Sequence, residues 1–133
     1  MTSPSHTLAS VVRFEKIGQI AISVTDLARS KDFYQNTLGM RFLFDAGTMS
    51  FFQCGDIRLM IGAGDGHTPR GGTILYFDVE DIHTVCAQLQ TASVEFMQTP
   101  HLVAKMPDHN LWMAFLKDPD GNVIGVMSEV PRE

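Results

Sequence analysis

The sequence is poor in cysteine, in clustered basic residues and in long apolar runs, and each shortage excludes a class of protein. Two cysteines in 133 residues, Cys54 and Cys86, do not make a disulfide scaffold, so a reducing, cytoplasmic compartment is expected. Ten Lys and Arg against fifteen Asp and Glu give a net charge of −5, which argues against nucleic acid or an anionic membrane as a partner. No apolar run approaches the length of a membrane span, and no secretory signal pattern is present.

The composition that remains is that of one ordinary globular domain. Hydrophobic residues make up 44% of the chain and charged residues 19%, as is usual for soluble proteins. A chain of 133 residues buries roughly two-thirds of its unfolded surface on folding, so it needs no disulfide or structural metal for stability. We predict a loosely held tail over residues 1–13 and a single domain over residues 14–133.

The chain contains an internal repeat. Residues 19–27 (QIAISVTDL) and residues 74–82 (ILYFDVEDI) both alternate like strands and end in an aspartate. Asp26 and Asp81 are therefore predicted to cap the helices that follow. The second helix carries apolar residues at helical spacing, and the first is predicted to stop at Gly39, because glycine commonly ends helices.

Each predicted helix leads to a hairpin whose turn sets the pairing of its strands. Gly55 and Asp56 form a two-residue turn of the type with glycine first. Residues 118–122 (DPDGN) form the second turn. These turns predict the opposed pairs Phe51–Met60, Gln53–Arg58, Phe115–Gly125 and Met113–Met127.

The order of strand, helix and then two or three strands therefore occurs twice. We predict module one at about residues 17–64, a glycine-rich linker at residues 65–71 and module two at about residues 72–130. A module of this kind is a curled sheet with a helix on one face, so two modules present a concave inner surface. A surface of this kind is suited to holding a small molecule.

The chain resembles the vicinal-oxygen-chelate superfamily, which includes glyoxalase I, extradiol dioxygenases and bleomycin-resistance proteins. The resemblance is carried by residues 24–40 (VTDLARSKDFYQNTLGM), 79–82 (VEDI) and 116–127 (LKDPDGNVIGVM). It implies an α+β fold in which two βαβββ modules form a curled, half-open mixed sheet. It also implies a homodimer, because members of this superfamily pair modules edge to edge.

In the metalloenzymes of this superfamily, His or Gln, then Glu, His and Glu hold a divalent metal at four central positions. The resemblance places Gln19, Met60, Ile74 and Gly125 at those positions. A thioether suits soft Cu(I) rather than the hard divalent metals, and the isoleucine and glycine side chains donate nothing. We therefore expect no metal and no cofactor, and we do not transfer glyoxalase or dioxygenase activity, which needs the metal.

Strand alternation predicts an apolar cup with a few polar groups on the inner surface. Glycine in place of a carboxylate is expected to free volume at the floor of this cup. We predict an apolar or aromatic small molecule as the ligand, although Met113 and Met127 could also simply fill the core. The predicted ligand-binding residues are Gln19, Phe51, Met60, Ile74, Tyr76, His109, Met113, Phe115, Gly125 and Met127.

Residues 99–115 (TPHLVAKMPDHNLWMAF) are interpreted as a long connection into the second hairpin. Alternation points His109 toward the mouth of the cup, and resemblance to the fosfomycin-resistance branch implies that His109 and Lys105 contact a substrate. His109 is the best catalytic candidate, and the competing interpretation is a solvated histidine bonded to Asp108. Trp112 is expected to point outward, into a subunit contact.

Two functional classes stay open. The first is a metal-free binding protein of the bleomycin-resistance kind, which sequesters or carries a small molecule. The second is a lyase, epimerase or dioxygenase-type enzyme, either with a non-standard metal site at Gln19 and His109 or with metal-independent acid–base chemistry. Both a pocket within one chain and a pocket between swapped modules fit the repeat.

Overall fold

The computed structural model of the protein describes residues 12–13, 15–64 and 73–132. Within these residues the chain has an α+β fold of two βαβββ modules, which confirms the predicted fold class. The predicted linker at residues 65–71 lies outside the described residues, as does most of the predicted tail at residues 1–13.

The bounds of the elements follow the predicted order of strand, helix and three strands. Module one contains β1 (Gln19–Ser23), α1 (Leu27–Asp32), β2 (Arg41–Ala46), β3 (Met49–Cys54) and β4 (Ile57–Gly62). Module two contains β5 (Leu75–Asp78), α2 (Ile82–Thr91), β6 (Glu95–Lys105), β7 (His109–Lys117) and β8 (Val123–Pro131). Neither helix in the described part of the chain is long and apolar enough to cross a membrane.

Each module folds into a four-stranded mixed sheet, and the two sheets have the same topology. The strand order is β1-β4-β3-β2 in module one and β5-β8-β7-β6 in module two. In each sheet the first strand runs parallel to the last, and the other neighbours are antiparallel. The internal repeat seen in the sequence is therefore a repeat of structure.

Both helices begin at the predicted aspartates. The Asp26 carboxylate accepts a hydrogen bond from the Arg29 backbone amide at 3.1 Å, and Asp81 accepts from two amides of the first turn of α2. Helix α1 continues as a π-helical segment over Phe33–Thr37. Gly39 then has a φ of 73°, in the left-handed region that favours glycine, and the helix ends there as predicted.

One hydrophobic core joins the helix-covered faces of the two modules. Burying a large apolar side chain contributes about 1.5–3 kcal/mol, so this shared core is the main reason for the modules to stay together. Its buried members are Val24, Phe33, Tyr34, Phe52, Leu59, Ile61, Ile82, Cys86, Leu89, Ala114, Leu116, Ile124 and Val126. The opposite face of each sheet, called here the inner face, is left free of this core.

The turn between β7 and β8 also joins the modules, through the buried carboxylate of Asp118. This residue is only 5% exposed. It accepts hydrogen bonds from the Asn122 backbone at 2.8 Å and from the Tyr34 hydroxyl of module one at 2.9 Å. Burial and the nearby Asp118 carboxylate raise the pKa of the Tyr34 phenol far above its ordinary value, so Tyr34 remains a neutral donor.

Residues 99–115 are not a long connection, and that interpretation is wrong. Strand β6 (Glu95–Lys105) fills most of the segment and pairs with β7 through three register shifts. Because β6 lies at the edge of its sheet, Pro100 is tolerated there although it donates no hydrogen bond. The register shifts interrupt the two-residue period by which a strand is recognised in a sequence.

Trp112 does not point outward, so the expected subunit contact of this residue is also wrong. It shares its side of β7 with the buried Ala114 and Leu116, and it packs against the core beneath α2. Its ring meets the His83 ring edge to face, with the centroids 4.9 Å apart. Trp112 therefore packs its apolar surface against the core of its own chain.

We predict that Tyr34→Phe lowers the free energy of unfolding by about 1–2 kcal/mol, because a buried carboxylate loses one donor. Urea denaturation at neutral pH measures the change. Tyr76→Phe is the matched control, since Tyr76 is the other of the two tyrosines and is 45% exposed. Equal stability of the two variants would contradict this role of Tyr34.

Candidate functional site

The inner face of module one is built around Met60. This residue on β4 pairs with Ala21 on β1 and with Phe51 on β3, as the predicted Phe51–Met60 register requires. Phe51 in turn contacts Phe44 on β2, with ring centroids 4.6 Å apart. Met60 and Phe51 are each only 8% exposed, so the centre of this face is apolar and closely packed.

The inner face of module two has the same layout with different residues. Gly125 on β8 pairs with Tyr76 on β5 and with Phe115 on β7, in the places that Met60, Ala21 and Phe51 hold in module one. The remaining predicted pairs, Gln53–Arg58 and Met113–Met127, are also confirmed.

The space above Gly125 is occupied by Tyr76, so the expected free volume at this position is wrong. A Cβ added to Gly125 would lie 2.6 Å from Cδ2 and 2.8 Å from Cε2 of Tyr76, closer than carbon atoms approach without a shift. The Tyr76 ring crosses β8 here and meets Phe115 edge to face, with centroids 5.8 Å apart. The sequence pattern of β8 alone does not reveal that a ring on β5, its neighbour in the sheet, takes this space.

His101 extends this arrangement onto the edge strand β6. Its ring lies 6.4 Å from that of Phe115, and it pairs in register with Met113, which is on the inner face. Tyr76, Phe115 and His101 are called here the aromatic row. The sequence did not indicate His101 as a site residue, because the register shifts of β6 conceal which of its side chains point inward.

The predicted ligand-binding residues fall into two groups and one outlier. Module one carries Gln19, Phe51 and Met60, and module two carries Ile74, Tyr76, Met113, Phe115, Gly125 and Met127. No strand pairing among the described residues joins the two sheets. Ile74 is 38% exposed and Tyr76 is 45% exposed, so the inner face of module two is open in the single chain.

His109 is the outlier. It is the first residue of β7, six residues before Phe115, which corresponds to roughly 20 Å along an extended strand. Its Nδ1 lies 2.7 Å from a carboxylate oxygen of Asp108, and its Nε2 lies 3.8 Å from one of Glu129. The structure thus contains the bond to Asp108 that the solvated-histidine interpretation expects, and this bond holds the pKa of the Asp108 carboxyl below its ordinary value.

The side chains at the superfamily's metal positions do not fit a hard divalent metal. The Oε1 atom of Gln19 accepts a hydrogen bond from Nε of Arg58 at 2.8 Å, so the one hard donor faces a cation. A metal ion there would be repelled by the guanidinium. Met60 offers a thioether, and neither Ile74 nor Gly125 offers a donor atom. In residues 12–13, 15–64 and 73–132, no three His, Cys, Asp or Glu side chains group as a metal site.

A separate cleft of about 500 Å³ lies on the helix side of the molecule, where module one meets module two. Leu38 and Met40 line it from module one, with Phe77 and Val85 from module two. Cys54, a free thiol, is also at its wall. None of the predicted ligand-binding residues contributes to this cleft, so it is distinct from the inner faces.

We predict that Gly125→Ala lowers the free energy of unfolding by about 1–3 kcal/mol, because the new methyl group displaces the Tyr76 ring. Gly18→Ala is the matched control, since nothing lies within 4 Å of its added Cβ. Combining Gly125→Ala with Tyr76→Ala should cost less than the sum of the single changes. Additive costs in urea denaturation would show that the ring does not lie over Gly125.

Comparisons with known proteins agree with this architecture. No curated protein sequence matches significantly. A glyoxalase/bleomycin resistance protein/dioxygenase superfamily member from Sphaerobacter thermophilus is 21% identical, covers 87% of this chain and 98% of its own, and has a TM-score of 0.73. A lactoylglutathione lyase from Agrobacterium tumefaciens is 19% identical, covers 87% and 95%, and has a TM-score of 0.70.

A putative glyoxalase family protein from Bacillus anthracis is 20% identical, covers 89% of this chain and 98% of its own, and has a TM-score of 0.70. Likeness at this level of identity establishes the fold and leaves the chemistry to the site. A family model matches residues 16–126, nearly the whole described domain. The chain belongs to the Glyoxalase/Bleomycin resistance protein/Dioxygenase superfamily.

Proposed function

We propose that the protein binds an apolar or aromatic small molecule on its inner face without a metal ion. The observation that supports this most is the Tyr76 ring, which covers Gly125 where metalloenzymes of the superfamily carry a carboxylate. An uncharged aromatic surface in place of an anionic ligand favours apolar molecules over metal ions.

The aromatic row is a suitable platform for a flat ligand. Stacked or edge-to-face rings contribute about 0.5–1.5 kcal/mol beyond the burial of their area. Burying about 100 Å² of apolar ligand surface adds on the order of 2.5 kcal/mol before ordering costs. We propose as contacts the residues Gln19, Phe51, Met60, Ile74, Tyr76, His101, Met113, Phe115, Gly125 and Met127.

We further propose that a second copy of the chain closes the pocket, in a cytoplasmic homodimer. Tyr76 and Ile74 are substantially exposed, and among the described strands β1 and β5 each have an unpaired edge beside the inner face. Light scattering at micromolar concentration should give the mass of two chains. A single-chain mass that does not change with concentration would contradict the dimer.

A second candidate function is metal-independent acid–base catalysis by a lyase or epimerase. It is favoured by His109, which lies between the carboxylates of Asp108 and Glu129. The roughly 20 Å of strand between His109 and Phe115 places this histidine too far from the aromatic row to act on a molecule bound there. We therefore prefer the binding function.

The binding function is tested with the neutral fluorescent probe N-phenyl-1-naphthylamine. We expect saturable binding to the parent protein and affinity about tenfold lower for Tyr76→Ala, because the platform loses its central ring. Leu102→Ala is the matched control, since Leu102 is 40% exposed and pairs with Trp112 on the opposite face of the same sheet. Equal loss in both variants, or no binding to the parent, would contradict the proposal.

A further inference from the structure

A row of polar side chains crosses the inner face of module one. The register places Gln19 beside Arg58, Arg58 beside Gln53 and Gln53 beside Arg41, one residue on each of the four strands. Residues directly opposite on paired strands share a face, so all four point to the same side as Met60. These four residues are called here the arginine row.

Arg58 is held in place by two contacts. Its Nε donates a hydrogen bond to Oε1 of Gln19 at 2.8 Å, and its guanidinium carbon lies 5.3 Å from the centroid of the Phe51 ring. Within the described part of the chain, its two terminal nitrogens have no hydrogen-bond partner. A guanidinium whose orientation is fixed and whose terminal N–H groups are free is arranged to bind an oxyanion.

The positive charge of the arginine row is not neutralised by any described residue. Arg29 pairs with Asp120 and Lys31 pairs with Asp45, whereas neither Arg41 nor Arg58 forms an ion pair among the described residues. Asp45 is the one acidic residue in β1 to β4, and it is bound to Lys31 of α1 on the helix side. Two uncompensated arginines in one row, separated only by Gln53, are unexpected in a chain with a net charge of −5.

Module two provides an internal comparison. At the equivalent level of its sheet, Glu95 on β6 pairs with Lys117 on β7, and Lys117 pairs with Val123 on β8. Nζ of Lys117 lies 3.7 Å from the Glu95 carboxylate, so this row carries its own counter-charge. The equivalent row of module two is neutral, so the fold does not require a cationic row at this level of the sheet. The positive charge in module one comes from its own residues, Arg41 and Arg58.

The arginine row lies next to the apolar centre of the inner face. Arg58 and Met60 are two residues apart on β4, which separates their rows by about 7 Å. Phe51 touches both rows, since it pairs with Met60 and lies under the Arg58 guanidinium. A molecule on this face therefore meets the small exposed parts of Met60 and Phe51 at one end and two guanidinium groups at the other.

We propose that the arginine row binds the oxyanion of an aromatic or apolar acid whose body lies against Met60 and Phe51. This inference rests on the proposed binding function and specifies its ligand as a small organic anion. Arg58 is the primary anion-binding group, Gln19 is the positioning residue that orients it, and Arg41 supplies the second charge.

The test compares two fluorescent probes that share one ring system. 1-Anilinonaphthalene-8-sulfonate carries an oxyanion, and N-phenyl-1-naphthylamine does not. We expect Arg58→Met and Arg41→Met each to weaken binding of the sulfonate by about tenfold, since each removes a charged hydrogen-bonding group. Binding of the neutral amine should stay within about twofold of the parent in both variants, because methionine preserves the apolar stem.

Lys117→Met is the matched control, because it removes one positive charge from the same level of module two. It should leave the affinity for both probes unchanged. Thermal melting verifies that all three variants are folded, which is expected because Arg41 and Arg58 are exposed. Added salt should weaken sulfonate binding more in the parent than in Arg58→Met.

The outcomes separate this inference from the function on which it rests. If both probes bind the parent and the arginine variants bind the sulfonate as well as the parent does, the anion site is refuted and the apolar pocket stands. If the neutral amine does not bind, the proposed function fails, and sulfonate binding that still depends on the arginines supports the anion site alone. If the arginine variants become monomeric without losing the sulfonate, the row is a subunit contact and the inference is refuted.

Discussion

The relation between the two modules depends on the buried carboxylates of residues 118–122. Asp118 bonds to Tyr34 of module one, and Asp120 accepts hydrogen bonds from Thr25 and from Ser30 in α1. Burial alone would raise the pKa of the Asp120 carboxyl, but these bonds and the charge of Arg29 outweigh it and hold that pKa below its ordinary value. Buried charge is stable only when it is paired in this way, so the turn fits only against α1.

This constraint leaves the inner faces free to differ. The core and the turn hold the modules together from the helix side, and the side chains of the inner faces lie outside this shared core. The two modules share the same register but carry different residues at equivalent positions. In module one the first strand carries the small Ala21 and the last strand the large Met60. In module two the first strand carries the large Tyr76 and the last strand the small Gly125.

The two modules also differ in the charge of the residues at equivalent positions. The row that carries Arg41 and Arg58 in module one is matched in module two by the neutralised pair of Lys117 and Glu95. The fold therefore supplies equivalent positions, and the side chains at these positions decide what each face binds. An apolar centre beside a cationic row is a different site from the metal centre of the superfamily's enzymes.

Local signals in the sequence predicted the repeated order of elements, and the resemblance to the superfamily implied how the two modules form their sheets. The capping residues Asp26 and Asp81 and the two hairpin turns depend on neighbouring residues alone, so the repeat, the helix starts and the central registers followed from them. The edge strand β6 did not follow, because its bulges and Pro100 break the alternation that identifies a strand.

The site was only partly predictable, because its main features arise between strands distant in the chain. The pattern of β8 revealed that Gly125 faces inward but not that Tyr76 of β5 lies over it. The pairing of Gln53 with Arg41 depends on the register between β2 and β3, which shifts between Phe42 and Phe44.

The central claim is that this chain does not hold a divalent metal at the superfamily's metal positions, because Gln19 is bound to Arg58 and the other three positions are apolar. Elemental analysis tests it most directly, on protein purified without chelator, incubated with Zn²⁺, Ni²⁺, Mn²⁺ or Fe²⁺ and dialysed. The account predicts metal content far below one ion per chain, unchanged in Gln19→Ala. Close to one ion per chain, retained after dialysis and lost in Gln19→Ala, would contradict it.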